Sequence, residues 1–297
     1  MGGRAGATQG GSWAASDGYK GQNFSLDLSG DVAIVTGTTS GLGKRFAQVL
    51  AACGASVVLT GRRVEKLQEL ADEIRANGGI CEPIVTDMTD RTSIRSMVDA
   101  AEAKFGTVNI LVNNAGVGIT GPIEETPHSE IENAFETNYY GPLNVIKAVL
   151  PQMRKQASGH IINITSIAGY MGLPYRGIYC ATKAALEITT EAYRMEVKQF
   201  GIEMTNVAPG DFATNIVAGR YHAPVLDDSP YQKAYGKTLA VMNAHVNEGQ
   251  DPMEMAKVVH AIIETTAPQI HYKVGAALQK FSIVLKRILP DKVYERM

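Results

Sequence analysis

Cysteine is scarce in this chain. Cys53, Cys81 and Cys180 are the only three in 297 residues, and they offer neither a metal-ligand spacing nor the pairs of a disulfide framework. Buried or half-buried thiols in a reducing cytosol are the expectation. Six histidines are scattered without a ligand motif, so no metal is expected. A net excess of either charge is nearly missing as well, with 28 Lys and Arg against 30 Asp and Glu. The formal net charge is −2, whereas a nucleic-acid partner calls for concentrated Lys and Arg. The first 22 residues hold seven glycines among Ser, Ala and Gln, with no apolar stretch long enough for a signal peptide or a bilayer span. Residues 1–27 therefore read as a disordered extension or a cloning remnant. A glycosylation sequon at Asn163-Ile164-Thr165 falls inside a predicted core strand and is set aside.

What the chain does have is regular alternation. Hydrophobic residues make up 45% of it, and its length suits one α/β domain. Strands are predicted at 32–36, 56–60, 80–85, 108–112, 160–165, 203–208 and 270–274. Helices are predicted near 42–53, 63–77, 91–105, 128–155, 177–200 and 252–265. Strand followed by helix, repeated, implies a doubly wound parallel sheet of about seven strands with helices on both faces, in one domain over 28–275. Runs such as Val57-Val58-Leu59 suit strands buried on both sides. Gly37, Asp87, Asn113, Ser166 and Pro209 each fall just after a predicted strand, so they converge on one crevice beyond the carboxyl ends.

The first strand runs into Val35-Thr36-Gly37-Thr38-Thr39-Ser40-Gly41-Leu42-Gly43. Glycine permits positive φ and close approach of a phosphate, and the free N–H groups of the following helix start donate to it. Four further segments follow in order: Asn113-Asn114-Ala115-Gly116, Ser166 at a strand end, Tyr179-Cys180-Ala181-Thr182-Lys183, and Pro209-Gly210 with Thr214 shortly after. In these motifs the chain resembles the short-chain dehydrogenase/reductase family in its common single-domain form. The likeness runs from about Leu28 to Thr214 and weakens afterwards. It implies a Rossmann-type fold and an oxidoreductase acting on CH–OH groups with NAD(P).

The side chains argue the chemistry directly. Tyr179 and Lys183 stand four residues apart, on one face of one helix. The lysine ammonium favours the phenolate, so Tyr179 can give or take a proton near neutral pH. Ser166 is placed to hydrogen-bond the substrate oxygen. The family resemblance adds Asn138 as a fourth catalytic residue in a water relay to the lysine, and gives Lys183 the nicotinamide ribose hydroxyls. It also implies cofactor contacts at Gly37, Thr39, Ser40, Gly41, Leu42 and Gly43, at Asp87 and Met88 beside the adenine, and at Asn114, Ala115 and Gly116 beside the adenosine ribose. Pro209, Gly210, Phe212 and Thr214 complete that set. The end of the second strand carries Thr60-Gly61-Arg62-Arg63, where an acidic side chain would accept from the ribose of NAD. Arg62 can instead pair with a 2′-phosphate, so NADP(H) is expected over NAD(H).

Val117, Ile119, Tyr170, Met171, Tyr175, Ile178 and Phe212 are the expected pocket wall, which suggests a small hydrophobic ketone, aldehyde or alcohol. An NAD-dependent alcohol or hydroxysteroid-type dehydrogenase is the first alternative, and a non-catalytic cofactor-binding regulator the second. Residues 211–250 read as a mobile lid, because Pro, Gly and polar residues follow the nicotinamide turn. In 276–297, Leu278, Phe281, Val284, Leu285, Ile288 and Leu289 recur at helical spacing with Lys280, Lys286, Arg287 and Lys292 outside the stripe. Packing on the domain or in a homodimer or homotetramer is preferred to membrane-surface attachment. The expected location is cytoplasmic.

Overall fold

The computed structural model describes residues 26–212, 219–246 and 250–295. Most of the N-terminal extension and Thr214 lie outside the described residues. β1 (Val32–Val35) leads through α1 (Gly41–Ala52), β2 (Ser56–Gly61), α2 (Val64–Ala76), β3 (Ile80–Val85) and α3 (Arg91–Phe105) to β4 (Ile110–Asn113). Then come β5 (Ile119–Thr120), α4 (His128–Phe135), α5 (Gly141–Lys155), β6 (Gly159–Ile164), α6 (Gly177–Val197) and β7 (Ile202–Pro209). The chain continues with β8 (Tyr221–His222), α7 (Gln232–Val246), α8 (Pro252–Glu264), β9 (His271–Val274), α9 (Ala277–Ile288) and α10 (Asp291–Tyr294).

Seven strands form one parallel sheet in the order β3-β2-β1-β4-β6-β7-β9. This is the doubly wound sheet expected. Because side chains alternate along a strand, each central strand feeds two cores. Ala33 and Val35 of β1, Val57 and Leu59 of β2, and Ile110 and Val112 of β4 join the layer of α1, α2 and α8. Val32, Ile34, Val58 and Leu111 join the layer of α3 and α5. That two-sided burial is why these strands are nearly continuous Val, Ile and Leu.

Three expectations need correction. The single helix predicted over 128–155 is α4 and α5 joined by a π-helical turn, Glu136–Tyr140; 3.6-residue periodicity cannot reveal an extra residue in a turn, since the helical axis continues through it. Asn113 lies inside β4, where its Nδ2 donates to Asn163 Oδ1 at 3.0 Å. The tail divides at Leu289-Pro290, because the proline ring disfavours a helical conformation in the residue before it, and Leu289 is extended. Residues 219–246 of the segment read as a lid carry β8, paired with β5, and α7. The Tyr235 hydroxyl pins them by hydrogen bonds to the carbonyls of Ala223 at 2.9 Å and Thr120 at 3.2 Å.

Helix α9 shows two unlike faces. Ile283 is buried against Ile167 and Met171, whereas Leu278 at 76% and Ile288 at 72% are exposed. No helix among the described residues is long and apolar enough to cross a membrane. Truncation after Gly275 is expected to lower the melting temperature by several degrees, since burial of a side chain such as Ile283 contributes roughly 1.5–3 kcal/mol. Unchanged melting, followed by circular dichroism, would show that α9 does not stabilise the domain.

Candidate active site

Strand order reverses about β1, whose neighbours are β2 and β4. A cavity of about 500 Å³ opens at this end of the sheet, lined by residues that follow strands, Gly37, Arg62, Asp87, Asn114 and Thr165 among them, and by Pro209, the last residue of β7. Gly37 has φ +72° and Gly41 φ +58°, the left-handed region that an L side chain resists. Gly43 serves a different purpose. A Cβ there would fall 2.2 Å from the Gly37 carbonyl oxygen and 2.5 Å from Asn114 Nδ2, so the helix start and the β4 loop meet only because that side chain is missing. No side chain caps α1, in contrast to α3 and α8, capped by Asp90 and Asp251. Its first N–H groups therefore face the cavity without a capping partner, and a pyrophosphate fits this cradle.

The β4 loop is locked to the β1 loop. Thr36 Oγ1 accepts from the N–H groups of Asn114 and Ala115, both at 2.9 Å, and Asn114 Nδ2 donates to the Thr36 carbonyl at 2.9 Å. Across the cavity, Asp87 Oδ1 accepts from the N–H and hydroxyl of Thr89, each at 2.9 Å. The backbone hydrogen bond is the main cause of its lowered carboxyl pKa. Arg63, unlike Arg62, touches the glycine turn: its guanidinium donates to Thr39 Oγ1 at 2.8 Å and to Ser40 Oγ at 3.2 Å.

Tyr179 and Lys183 line the opposite wall. Lys183 Nζ lies 6.0 Å from the Tyr179 ring centroid and donates to the Ile164 carbonyl at 3.0 Å. Burial pushes the lysine pKa down, and the negative charge available to Tyr179 pulls it back up. Gly116 packs closely beside Asn138, since a Cβ there would come within 3.1 Å of Asn138 Oδ1. Asn138, on the π-helical turn, clasps the backbone of Val117: its Oδ1 accepts from the N–H at 2.7 Å and its Nδ2 donates to the carbonyl at 2.9 Å. Ser166 Oγ accepts from Ala168 N–H at 3.2 Å, so it caps a short 3-10 turn while its own hydrogen stays free to donate elsewhere.

Of the expected cofactor contacts, Gly37, Thr39, Ser40, Gly41, Leu42, Arg62, Asp87, Met88, Asn114, Ala115, Gly116, Tyr179, Lys183 and Pro209 line the cavity. Gly43, Gly210 and Phe212 do not. Gly43 acts through packing, Gly210 abuts Gln279 of α9, and Phe212 is buried in the core beside α8. The expected pocket wall also divides. Val117, Ile119 and Ile178 cluster around Tyr179, but Met171 packs under α9, and the Tyr170 hydroxyl donates to the buried Glu187 carboxylate. Arg63, Thr60, Thr86, Gly118, Thr137 and Thr165 line the cavity without having been expected. For all but Thr137, which lies in the π-helical turn, a position beside a strand end was the available signal.

A family model for short chain dehydrogenases matches residues 31–224. The chain belongs to the short-chain dehydrogenase/reductase family. A 3-ketodihydrosphingosine reductase of Bacteroides thetaiotaomicron is 34% identical over 265 residues, covering 89% of this chain and 95% of the relative. A crystal structure of a short-chain dehydrogenase from Streptomyces avermitilis is 32% identical with TM-score 0.78, covering 90% of this chain and 94% of that one. Cofactors differ among the structural relatives. A metagenomic short-chain oxidoreductase in complex with NADP is 29% identical (TM-score 0.68, covering 83% and 97%). A Burkholderia phymatum member in complex with NAD is 25% identical (TM-score 0.78, covering 91% and 96%). As a member of the short-chain dehydrogenase/reductase family, the chain is an oxidoreductase that acts on CH–OH or carbonyl groups with NAD(P).

Gly43→Ala is expected to weaken binding of NADPH and NADH at least about tenfold, because its Cβ would displace the Gly37 carbonyl from the turn. Nicotinamide fluorescence titration measures this, and parental affinity in the variant would show that the close approach is dispensable.

Proposed function

We propose that this protein is an NADP(H)-dependent carbonyl reductase or alcohol dehydrogenase for a hydrophobic ketone or aldehyde, with Tyr179 as general acid and base. The observation that carries this reading is the Tyr179–Lys183 pair on one turn of α6, both lining the cavity, with the lysine held by the Ile164 carbonyl. The nicotinamide cofactor supplies or accepts the hydride when bound. In reduction, the Tyr179 hydroxyl gives its proton to the carbonyl oxygen. The Lys183 ammonium favours the resulting phenolate. Ser166 donates its free hydrogen to the same oxygen and holds the carbonyl carbon in line. Asn138 fixes the Val117 backbone beside the lysine and supports proton delivery to it.

Arg62 and Arg63 at the end of β2, with no carboxylate in that turn, support NADP(H) over NAD(H). The Burkholderia relative's complex with NAD keeps NAD(H) as the second reading. The name of the Bacteroides relative supports a carbonyl substrate in the reductive direction. Of the segment 211–250, the described residues 219–246 would cover the substrate. A cytoplasmic homodimer or homotetramer is the assembly proposed, on the three free buried cysteines and the exposed apolar face of α9.

A panel of ketones and alcohols with NADPH and NADH, followed at the nicotinamide absorbance, tests the reading. Tyr179→Phe is expected to abolish turnover and leave NADPH binding nearly intact, and more than about a tenth of parental activity would move the proton to another group. Arg62→Asp should shift the ratio of kcat/KM from NADPH toward NADH by about tenfold, or 1.4 kcal/mol. A constant ratio would leave Arg62 without a part in cofactor choice.

A further inference from the structure

Beside the reacting end of the cavity lie two arginines that the proposed chemistry does not use. Arg176, just before α6, places Cζ 5.2 Å from the centroid of the Tyr179 ring. Arg220 reaches the same place from across the chain. The β5–β8 pairing sets Ile119 opposite Tyr221, and Tyr221 N–H donates to the Gly118 carbonyl at 2.9 Å. That register lays the Arg220 side chain on Gly118, where a Cβ would meet Arg220 Cγ at 2.8 Å and Nε at 3.0 Å. Gly118 and Gly219 both line the cavity.

The Arg220 guanidinium is incompletely satisfied. Its Nη1 is buried without a hydrogen-bond partner among the described residues. Asp211 contributes a favourable charge, but its Oδ2 accepts from Gln279 Nε2 at 2.6 Å. Burial and the like charge of Arg176 both work against the Arg220 cation. Two cations beside one tyrosine, one with an orphaned buried donor, form a poor arrangement unless an anion completes it.

We propose that Arg220 and Arg176 form a subsite for an anionic group, carboxylate or phosphate, carried by the carbonyl substrate at the end near Tyr179. This rests on the oxidoreductase reading and narrows its substrate class to amphipathic keto compounds with an acidic head. Guanidinium forks suit both oxyanions through paired N–H donors. The same two cations would repel a keto amine.

The test compares a medium-chain keto acid, a keto phosphate, the methyl ester of the acid and the corresponding keto amine as ligands of the NADPH-loaded protein, by calorimetry and then by turnover. The parent is expected to bind the acid or the phosphate at least about tenfold more tightly than the ester, and the amine more weakly still. Whichever anion is tighter identifies the head group. Arg220→Gln should erase the preference while leaving ester affinity within about threefold, Arg220→Lys should restore part of it, and Arg176→Gln should reduce it.

A parent without that preference, or an equal loss for ester and anion in Arg220→Gln, overturns the subsite. So does a tenfold loss of NADPH affinity in Arg220→Gln, which would assign the orphaned donor to the cofactor. Should Arg220→Gln fail to fold by circular dichroism, the parent's preference and its loss in Arg176→Gln decide the matter. Tight, arginine-dependent anion binding with no turnover of any ketone would uphold the subsite and sink the oxidoreductase assignment, so the two failures are distinguishable.

Discussion

An ammonium withdrawn from water organises this site. Lys183 is buried, and burial alone disfavours its charged form. The charge is kept useful by what surrounds it: the Ile164 carbonyl at the end of β6 and Tyr179 one turn earlier on α6. Each of these depends on a different element. β6 must end where its last carbonyl meets α6, and α6 must hold Tyr179 one turn before the lysine. A displacement of either would leave a cation without its partner in a region of low dielectric, so the two are held as a unit.

The other wall of the cavity depends on close approach of backbone to backbone. The absent side chain at Gly43 lets the start of α1 meet the β1 and β4 loops, and Thr36 and Asn114 fasten those loops together. With no side chain capping α1, the positive end of the helix faces the cavity. Arg63 adds a cation tied to the same turn through Thr39 and Ser40. The turn thus offers two kinds of donor to a bound dinucleotide, backbone N–H groups at the start of α1 and the Arg63 guanidinium beside them.

The substrate side follows a different logic. Tyr170 and Met171, which a linear reading places in the wall, are drawn beneath α9 by Glu187 and Ile283. Arg176 and Arg220 take their place around Tyr179, brought there by the start of α6 and by a two-residue strand pairing. The apolar wall that remains, Val117, Ile119 and Ile178, sits next to charge, and an amphipathic ligand satisfies both.

The sequence by itself determined the doubly wound sheet, since strands buried on both faces must be continuous Val, Ile and Leu, and repeated strand–helix alternation admits few other arrangements. It also determined the glycine turn and the Tyr179–Lys183 spacing, because both are local: one depends on backbone freedom at Gly37 and Gly41, the other on one turn of helix. Only the tertiary structure decided which side chains meet from distant segments. That Arg63 rather than Arg62 clasps the turn, that Phe212 turns into the core, that Asn138 rides on a π-helical turn and that Arg220 lies on Gly118 all follow from packing between elements up to about a hundred residues apart. Periodicity records which face of an element is buried, but it carries no information on what that face is buried against.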